Sequence, residues 1–432
     1  MVSDLVTKNA ADLDPHEIFS HLPPNRVGEI DRQYMNQVLD DGFGNTKDPA
    51  NMVARLETAF AEKFGVAFAI SHNSGSGTMV SALLAAGVGP GDEVIVPSLT
   101  AAATAFVVLE CGAVPVFADS DPNTFCLDPR DVARKITEFT KAIIPVSIFG
   151  LPPDYDAIMR LRETHGLSVI EDNAQCFLAM YKGKLVGTIG DAASFSFQGS
   201  KHMTSGGDGG ILITGDAELA TRARKYSSQG FRTLTGRAGE NVIPRDVRQD
   251  WAFERHDFLG YNFRMSAMQA ALGLAQLERL DYLVAARRYI SSQYEAAIRS
   301  ENCGWLVPPA VPEGCTHSYW TYVCKLDEEL LGVDWREFRK LFLRHGGDGL
   351  YSAWMPLHRE PIFRTMSFYG SRERSPNFDP RYKGKVKSYN EGDCPVIEDL
   401  QKRLCLFKTS MQTLDKVRAQ VDALASTIRY FA

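Results

Sequence analysis

The sequence predicts an α/β protein: a large unit with a mainly parallel, mixed sheet covered by helices, followed by a smaller C-terminal α+β unit. Three observations carry this. From residue 66 to residue 214, short apolar runs alternate with helix-like segments, the pattern of a sheet buried on both faces. The run 167–170 ends at once in Glu171 and Asp172, as does the carboxyl end of a parallel strand where α/β proteins place ligands. From about residue 300 the regular alternation stops and the chain changes character.

Composition sets outer limits. A chain of 432 residues has room for two or more core-bearing units. Hydrophobic content of 44% and charged content of 23% are ordinary for a globular enzyme. A net charge of −6 argues against nucleic acid as the main partner. The apolar stretches are far shorter than the roughly 20 residues of a membrane span. The N-terminal stretch carries acidic residues and no apolar core, unlike a secretory signal. The eight cysteines form no CxxC pair, which predicts reduced thiols in a cytoplasmic protein. Cys176 follows Gln175 and reads either as a small buried hydrophobe or as a thiol near the site. The nine histidines are scattered, with no spacing suited to a metal.

The elements follow in order. Residues 1–27 are polar and contain Pro23-Pro24, predicting an irregular arm. A helix is predicted over 27–39, then a flexible Asp-Asp-Gly-Phe-Gly-Asn segment. Another helix spans 51–64, with Val53, Leu56, Ala59, Phe60 and Phe64 on one face. Strands are predicted at 66–70, 93–96, 114–118, 142–148 and 167–170, separated by helices at 76–86, 101–109, 129–136 and 155–163. Their crossovers should be right-handed. Strands at 192–197 and 211–214 and a helix at 217–226 complete this unit. The polar, Arg-rich stretch 230–257 is long enough to be an excursion near the site, over a neighbouring subunit, or a mobile loop. Helices at 266–277 and 283–299 follow, the second leading to the smaller unit. There the sequence predicts a strand at 317–323, a helix at 335–342, a run at 350–355 leading into Pro356-Leu357-His358, a polar loop over 363–391, and helices at 398–404 and 414–428. The predicted division is an arm (1–27), a large domain (28–290) and a small domain (291–432).

The chemistry concentrates in 167–210. The run 192–197 leads within a few residues to Lys201, followed by Gly206-Gly207-Asp208-Gly209-Gly210, where backbone can approach a ligand closely. A lysine, a carboxylate and side-chain-poor backbone suit pyridoxal 5′-phosphate (PLP). That cofactor needs a lysine to hold its aldehyde as a Schiff base, an acid to keep its ring nitrogen protonated, and donors for its phosphate. Lys201 and Asp172 fit the first two roles. Ser74-Gly75-Ser76-Gly77-Thr78, between the first strand and its helix, suits the third, because helix-start N–H groups and the helix dipole face an anion. Each piece has a plainer alternative: a solvated lysine, a helix-capping aspartate, a capped loop. Their convergence favours the site.

Glu171-Asp172-Asn173-Ala174-Gln175, Gly190-Asp191, Ser194-Phe195-Ser196-Phe197, Lys201 and Gly206-Gly207-Asp208-Gly209-Gly210 together resemble the DegT/DnrJ/EryC1/StrS aminotransferases, fold-type I PLP enzymes. The resemblance runs from about residue 28 almost to the C-terminus. It implies transfer of an amino group from glutamate or glutamine to a keto-sugar or keto-cyclitol, often nucleotide-linked, in amino-sugar or secondary-metabolite biosynthesis. Lys201 and Asp172 would be catalytic. The resemblance adds Gly75, Ser76 and Ser196 as phosphate contacts and Gln175 as a contact to the ring oxygen. Gly260-Tyr261-Asn262-Phe263-Arg264-Met265-Ser266 resembles the segment whose Asn reaches the phosphate of the other subunit, implying a homodimer with shared active sites. On residue chemistry alone, Asn262 equally reads as a cap for the helix that Ser266 begins. Pro356-Leu357-His358 resembles a segment near the substrate, making His358 a substrate contact. One departure stands out: where relatives carry a ring-stacking aromatic after the Pro-x-x-Thr turn, this chain has Ala101. Two other readings stay open: a PLP-dependent dehydratase or lyase, whose related branch replaces the lysine by histidine, and a non-enzymatic scaffold. Lys201 favours transamination, with His202 beside it.

Overall fold

The computed structural model describes residues 4–42, 51–240 and 242–431. Part of the expected flexible segment, from Phe43 onward, lies outside the described residues. The large unit is built on seven strands: β1 (Phe68–His72), β2 (Glu93–Pro97), β3 (Val114–Ala118), β4 (Thr140–Ile143), β5 (Ser168–Asp172), β6 (Ala192–Ser196) and β7 (Gly210–Thr214). Their order is β1-β7-β6-β5-β4-β2-β3. The pairs from β6 through β5, β4 and β2 to β3 are parallel, whereas β7 runs antiparallel to both its neighbours. This is the expected mainly parallel, mixed sheet.

Every residue of β2, β3, β6 and β7 is buried, as a sheet covered on both faces requires. Side chains alternate between two cores because strand periodicity is two. Val94 and Val96 join the core that holds the helices Gly75–Ala85 and Ala103–Glu110. Ile95 between them joins the one that holds Val132 and Ile158 of the helices Pro129–Lys135 and Tyr155–His165.

The smaller unit has four antiparallel strands: β8 (Leu306–Val307), β9 (Thr321–Leu326), β10 (Leu350–Ser352) and β11 (Leu404–Lys408), in the order β8-β9-β11-β10. Helices Trp335–Arg344 and Leu414–Phe431 pack on it through Phe338, Phe342 and Leu424. The helix Leu280–Ser300 belongs to both units. Its Leu283 and Val284 enter the large unit's core, and Ile290, Tyr294 and Ile298 enter the small one's.

Several elements differ from expectation. The arm is not irregular. Asp14 caps a helix Pro15–Ser20 whose first residue is proline, and Leu13, Ile18 and Leu22 are buried in the large unit's core. The strand expected at 317–323 starts only at Thr321. Tyr319 stands in the left-handed region (φ 49°), and its N–H is taken by the His317 ring (2.9 Å), so the ladder cannot begin earlier. The helix expected over 398–404 stops at Leu400, and Leu404 opens β11, which the sequence reading missed. A short apolar run directly after a helix gives no period by which to tell strand from helix. The strand expected over 142–148 ends at Ile143 and turns at Ile148–Gly150. The stretch 363–391 is anchored rather than loose: the Tyr389 hydroxyl donates to the Pro115 carbonyl (2.9 Å), and Lys387 pairs with buried Glu93 (2.8 Å). The excursion 230–257 carries a short helix, Arg245–Gln249, and exposes Trp251 (93%). Among the described residues no helix is long and apolar enough to cross a membrane.

Candidate active site

The two carboxylates that end β5 have different fates. Glu171 is fully buried and accepts from the N–H groups of Gly187 (2.7 Å), Ile189 (2.8 Å) and Gly190 (2.7 Å), so it organises the loop before β6. Asp172 is buried too, but accepts from the Thr104 hydroxyl (2.8 Å) and the Ala174 N–H (3.1 Å). Burial raises the Asp172 pKa, while those two donors and the charge of Lys201 pull it back. Thr104 is itself fixed by Thr100 (3.0 Å).

Lys201 follows β6 in a turn whose backbone is gripped from two sides. Its carbonyl accepts from Arg26 of the arm (2.9 Å) and Arg287 of the helix Leu280–Ser300 (3.2 Å). The Lys201 amine lies 4.6 Å from the centre of the Trp320 ring. Burial brings its pKa down to about 8; the Asp172 carboxylate opposes the shift and the Arg287 guanidinium adds to it. The result is an amine with a larger neutral fraction near physiological pH than an ordinary lysine has, within electrostatic reach of Asp172. His202, next to it, is fully enclosed with Nε2 on the Ser318 carbonyl (2.9 Å), and burial holds it well below the ordinary histidine range.

The helix Gly75–Ala85 begins beside this turn. Ser74 caps it by accepting from Gly77 N–H (3.0 Å). Gly75 must be glycine for packing: a Cβ there would stand 2.8 Å from Ser196 Cβ. Gly210 answers the same squeeze from β7, where a Cβ would come within 2.8 Å of the Gly75 nitrogen. The two glycines therefore bring the helix start, Ser76 and Ser196 together. The segment of Asn262 runs alongside, since the Asn73 N–H donates to the Phe263 carbonyl (2.7 Å) and Phe263 packs on Gly77. Asn262 is exposed, and Ser266, not Asn262, caps the next helix by accepting from Gln269 N–H (3.3 Å).

Gln175 is buried, and its Oε1 accepts from the Phe149 N–H (2.7 Å). Phe149 has a left-handed backbone (φ 58°), a conformation that costs a bulky residue about 1–3 kcal/mol. Cys176 is fully buried, and burial pushes its thiol up to about 12; it is the small buried hydrophobe rather than a reactive thiol. His358 is fully buried with both ring nitrogens engaged, Nδ1 with the Ser98 hydroxyl (2.6 Å) and Nε2 with Glu398 (2.7 Å). This places it as a brace between the strand-end loop and the C-terminal segment. Ala101 and Ala102 carry no ring at the position of the missing aromatic.

Together these groups can hold a cofactor that has an aldehyde (Lys201), a ring nitrogen (Asp172) and a phosphate (the helix start, Ser76, Ser196). Thr104, Arg26, Arg287 and Phe149 escaped the sequence reading. Each acts on a partner far away in the chain, and none stands in a local motif.

The sequence profile of the DegT/DnrJ/EryC1/StrS aminotransferase family matches residues 25–379. This chain belongs to that family. It is 39% identical over 305 residues to GDP-perosamine synthase of Caulobacter vibrioides, covering 71% of this chain and 76% of that protein. It is 40% identical over 299 residues to L-glutamine:2-deoxy-scyllo-inosose aminotransferase of Streptomyces lividus, covering 68% of each. Among solved structures, an aminotransferase from Psychrobacter cryohalolentis superposes with a TM-score of 0.80 at 27% identity, covering 95% of this chain and 99% of that one. The family member described here is thus an aminotransferase of the fold its sequence predicted.

Proposed function

We propose that this aminotransferase uses PLP to move an amino group from glutamate or glutamine to a keto-sugar or keto-cyclitol, and that it works as a cytoplasmic homodimer. The observation that carries the reading is Lys201, packed over the Trp320 ring and within electrostatic reach of the buried Asp172 carboxylate, with its amine brought down to about 8. When bound, PLP supplies an electron-withdrawing ring that stabilises negative charge on the carbon bearing the amino group.

The chain's residues do the rest. Lys201 Nζ would hold the cofactor through its aldehyde, and the same amine is placed to carry the proton at the donor carbon. Asp172, held by Thr104 and Ala174, keeps the ring nitrogen protonated. Because Phe149 occupies the Gln175 oxygen, the Gln175 amide NH2 is left to donate to the ring oxygen. The start of the helix Gly75–Ala85, with Ser76 and Ser196, receives the phosphate. Asn262, exposed in its own chain, serves the phosphate of the second subunit. Leu259, three residues before it and 87% exposed, supports a surface covered by that subunit. The named activities of the two relatives above support a sugar or cyclitol acceptor. The eight free cysteines support a reducing compartment. We further divide the chain at 27/28 and 290/291, with the helix Leu280–Ser300 as the link.

The test is the visible spectrum of the purified protein with PLP, before and after glutamate or glutamine, beside Lys201→Ala. A yellow band that bleaches with the donor, and cannot form alike in the variant, is the expected result. A band that no donor changes overturns transamination. Absence of any band overturns the cofactor assignment.

A further inference from the structure

We propose that the N-terminal arm belongs to the catalytic apparatus: Arg26 is a positioning residue that, with Arg287, fixes the stretch of backbone carrying the Lys201 amine. This inference rests on the role proposed above for Lys201. It adds to that role a part of the chain 175 residues away.

Lys201 stands between β6 and β7, in a stretch with neither helix nor strand. The turn is closed locally by a bond from the Lys201 N–H to the Gln198 carbonyl (2.9 Å). The carbonyls of residues 199 to 202 belong to no ladder and are taken by side chains instead. Arg26 Nη1 donates to Gly199, and its Nη2 donates to Lys201 (2.9 Å) and His202 (3.2 Å). Arg287 Nη2 donates to Ser200 (3.4 Å) and Lys201 (3.2 Å), and the Trp320 indole adds a bond to Ser200 (3.0 Å). A lysine carries its amine on a flexible four-carbon stem. Such a stem delivers the amine to one place only if its Cα is held, and a misplacement of about 1 Å can cost about 10²-fold in rate. A planar guanidinium fork fixes direction as well as distance. The two arginines do for this turn what ladder bonds do for β6.

The arm itself is anchored by other groups. Leu13, Ile18 and Leu22 are buried in the large unit's core, and Arg288 donates to the Leu5 (3.1 Å) and Lys8 carbonyls. Arg26 instead adopts a left-handed backbone (φ 68°), a conformation unfavourable for a residue with a side chain. Neighbours hold it there. Gln276 Nε2 (2.9 Å) and Arg279 Nη2 (3.2 Å) donate to the Arg26 carbonyl, and Arg279 is fixed by the buried Asp31 (2.7 Å). Asp31 in turn accepts from the Gly28 N–H (2.8 Å). Strain that its surroundings enforce in this way marks segments with a function. Among the described residues the Arg26 guanidinium pairs with no carboxylate, and its bonds go to the carbonyls of the Lys201 turn. Burial lowers its pKa and the Arg279 charge adds to the shift, as for a cation held without a counter-charge.

The experiment compares wild type with Arg26→Met, Arg26→Lys and Arg288→Met, the last loosening the arm at Leu5 and Lys8 without touching the Lys201 turn. Three quantities are read: the rate at which PLP attaches to the apoprotein, the rate at which saturating glutamate or glutamine bleaches the cofactor band together with the half-saturating donor concentration, and the melting temperature of the apoprotein. Arg26→Met should slow attachment and bleaching by about 10-fold or more each, while the half-saturating donor concentration moves by less than about twofold. Arg26→Lys should recover part of both rates, since an ammonium meets the carbonyls without the fork. Arg288→Met should lower the melting temperature and leave both rates unchanged. Rates in Arg26→Met within about twofold of wild type overturn the proposal, and so does an equal slowing in Arg26→Met and Arg288→Met, which would make the arm structural only. Where Arg26→Met does not fold, Arg26→Lys with wild-type rates at the wild-type melting temperature overturns it. Failure of the cofactor reading shows separately, as a missing or unresponsive band in the wild type.

Discussion

The floor of the site and the wall beside it are built on opposite principles. On the floor, at the ends of β5 and β6, the Asp172 carboxylate and the Lys201 backbone have dedicated neighbours. Asp172 has Thr104 and the Ala174 N–H, and the Lys201 carbonyl has two arginines. In the wall, formed with the C-terminal sheet, Arg287 has no carboxylate partner among the described residues, and Trp354 is 40% exposed. The floor is preorganised because chemistry needs fixed geometry and tuned acidity. The wall keeps unspent interactions, which a ligand can complete.

Substitutions on the floor should therefore lower kcat, and substitutions in the wall should raise acceptor KM. The largest expected effect is that of Lys201→Ala, which should abolish the cofactor band and reduce turnover by on the order of 10³-fold or more; turnover close to wild type would break the comparison at its base. Next is Asp172→Asn, which should lower kcat by about 10²-fold or more with little change in acceptor KM, measured in steady-state assays over both substrates. Thr104→Val removes one donor to the Asp172 carboxylate and should cost about 10-fold in kcat, in line with about 1.5 kcal/mol for a hydrogen bond to a charged group. An unchanged kcat would mean that Asp172 is placed by its backbone alone.

The pH dependence sharpens the same contrast. Only the neutral amine can attach the cofactor, and Lys201 is lowered to about 8. The rate of cofactor attachment to the apoprotein should rise about tenfold per pH unit below that value and level off above it. The Asp172 carboxylate opposes the lowering, so the midpoint should move to lower pH in Asp172→Asn. In stability the sign is reversed. The unfolded lysine holds its proton more tightly, so Lys201 opposes folding most fully below about pH 8, and this opposition fades as pH rises toward the unfolded value. The smallest expected effect is at the brace. His358→Gln should destabilise the protein by about 1–3 kcal/mol through the partners left at Ser98 and Glu398, with acceptor KM nearly unchanged. A KM raised tenfold at unchanged melting temperature would make His358 a substrate contact instead.

Much of the fold was legible because its signals are local. Apolar runs of strand length, separated by helical periods, announce a sheet buried on both faces, and all seven strands of the large sheet appear where such runs stand. In the small unit the signal weakened. β11 follows a helix without a break in polarity, and the residues before Thr321 read as strand although Tyr319 turns left-handed. Within the candidate site, Lys201 and Asp172 were legible as a lysine and a carboxylate at the ends of neighbouring apolar runs, and the structure brings them within electrostatic reach.

By itself, then, the sequence determined the layered sheet and the candidate lysine and acid, since periodicity and residue type are properties of short stretches. The tertiary structure alone decided what each group meets. It set Thr104 on Asp172, closed Arg26 and Arg287 on the Lys201 carbonyl, and buried His358 between Ser98 and Glu398. Such pairings join residues remote in the chain. Burial and distance, which set acidity and charge balance, exist only once the chain has closed on itself.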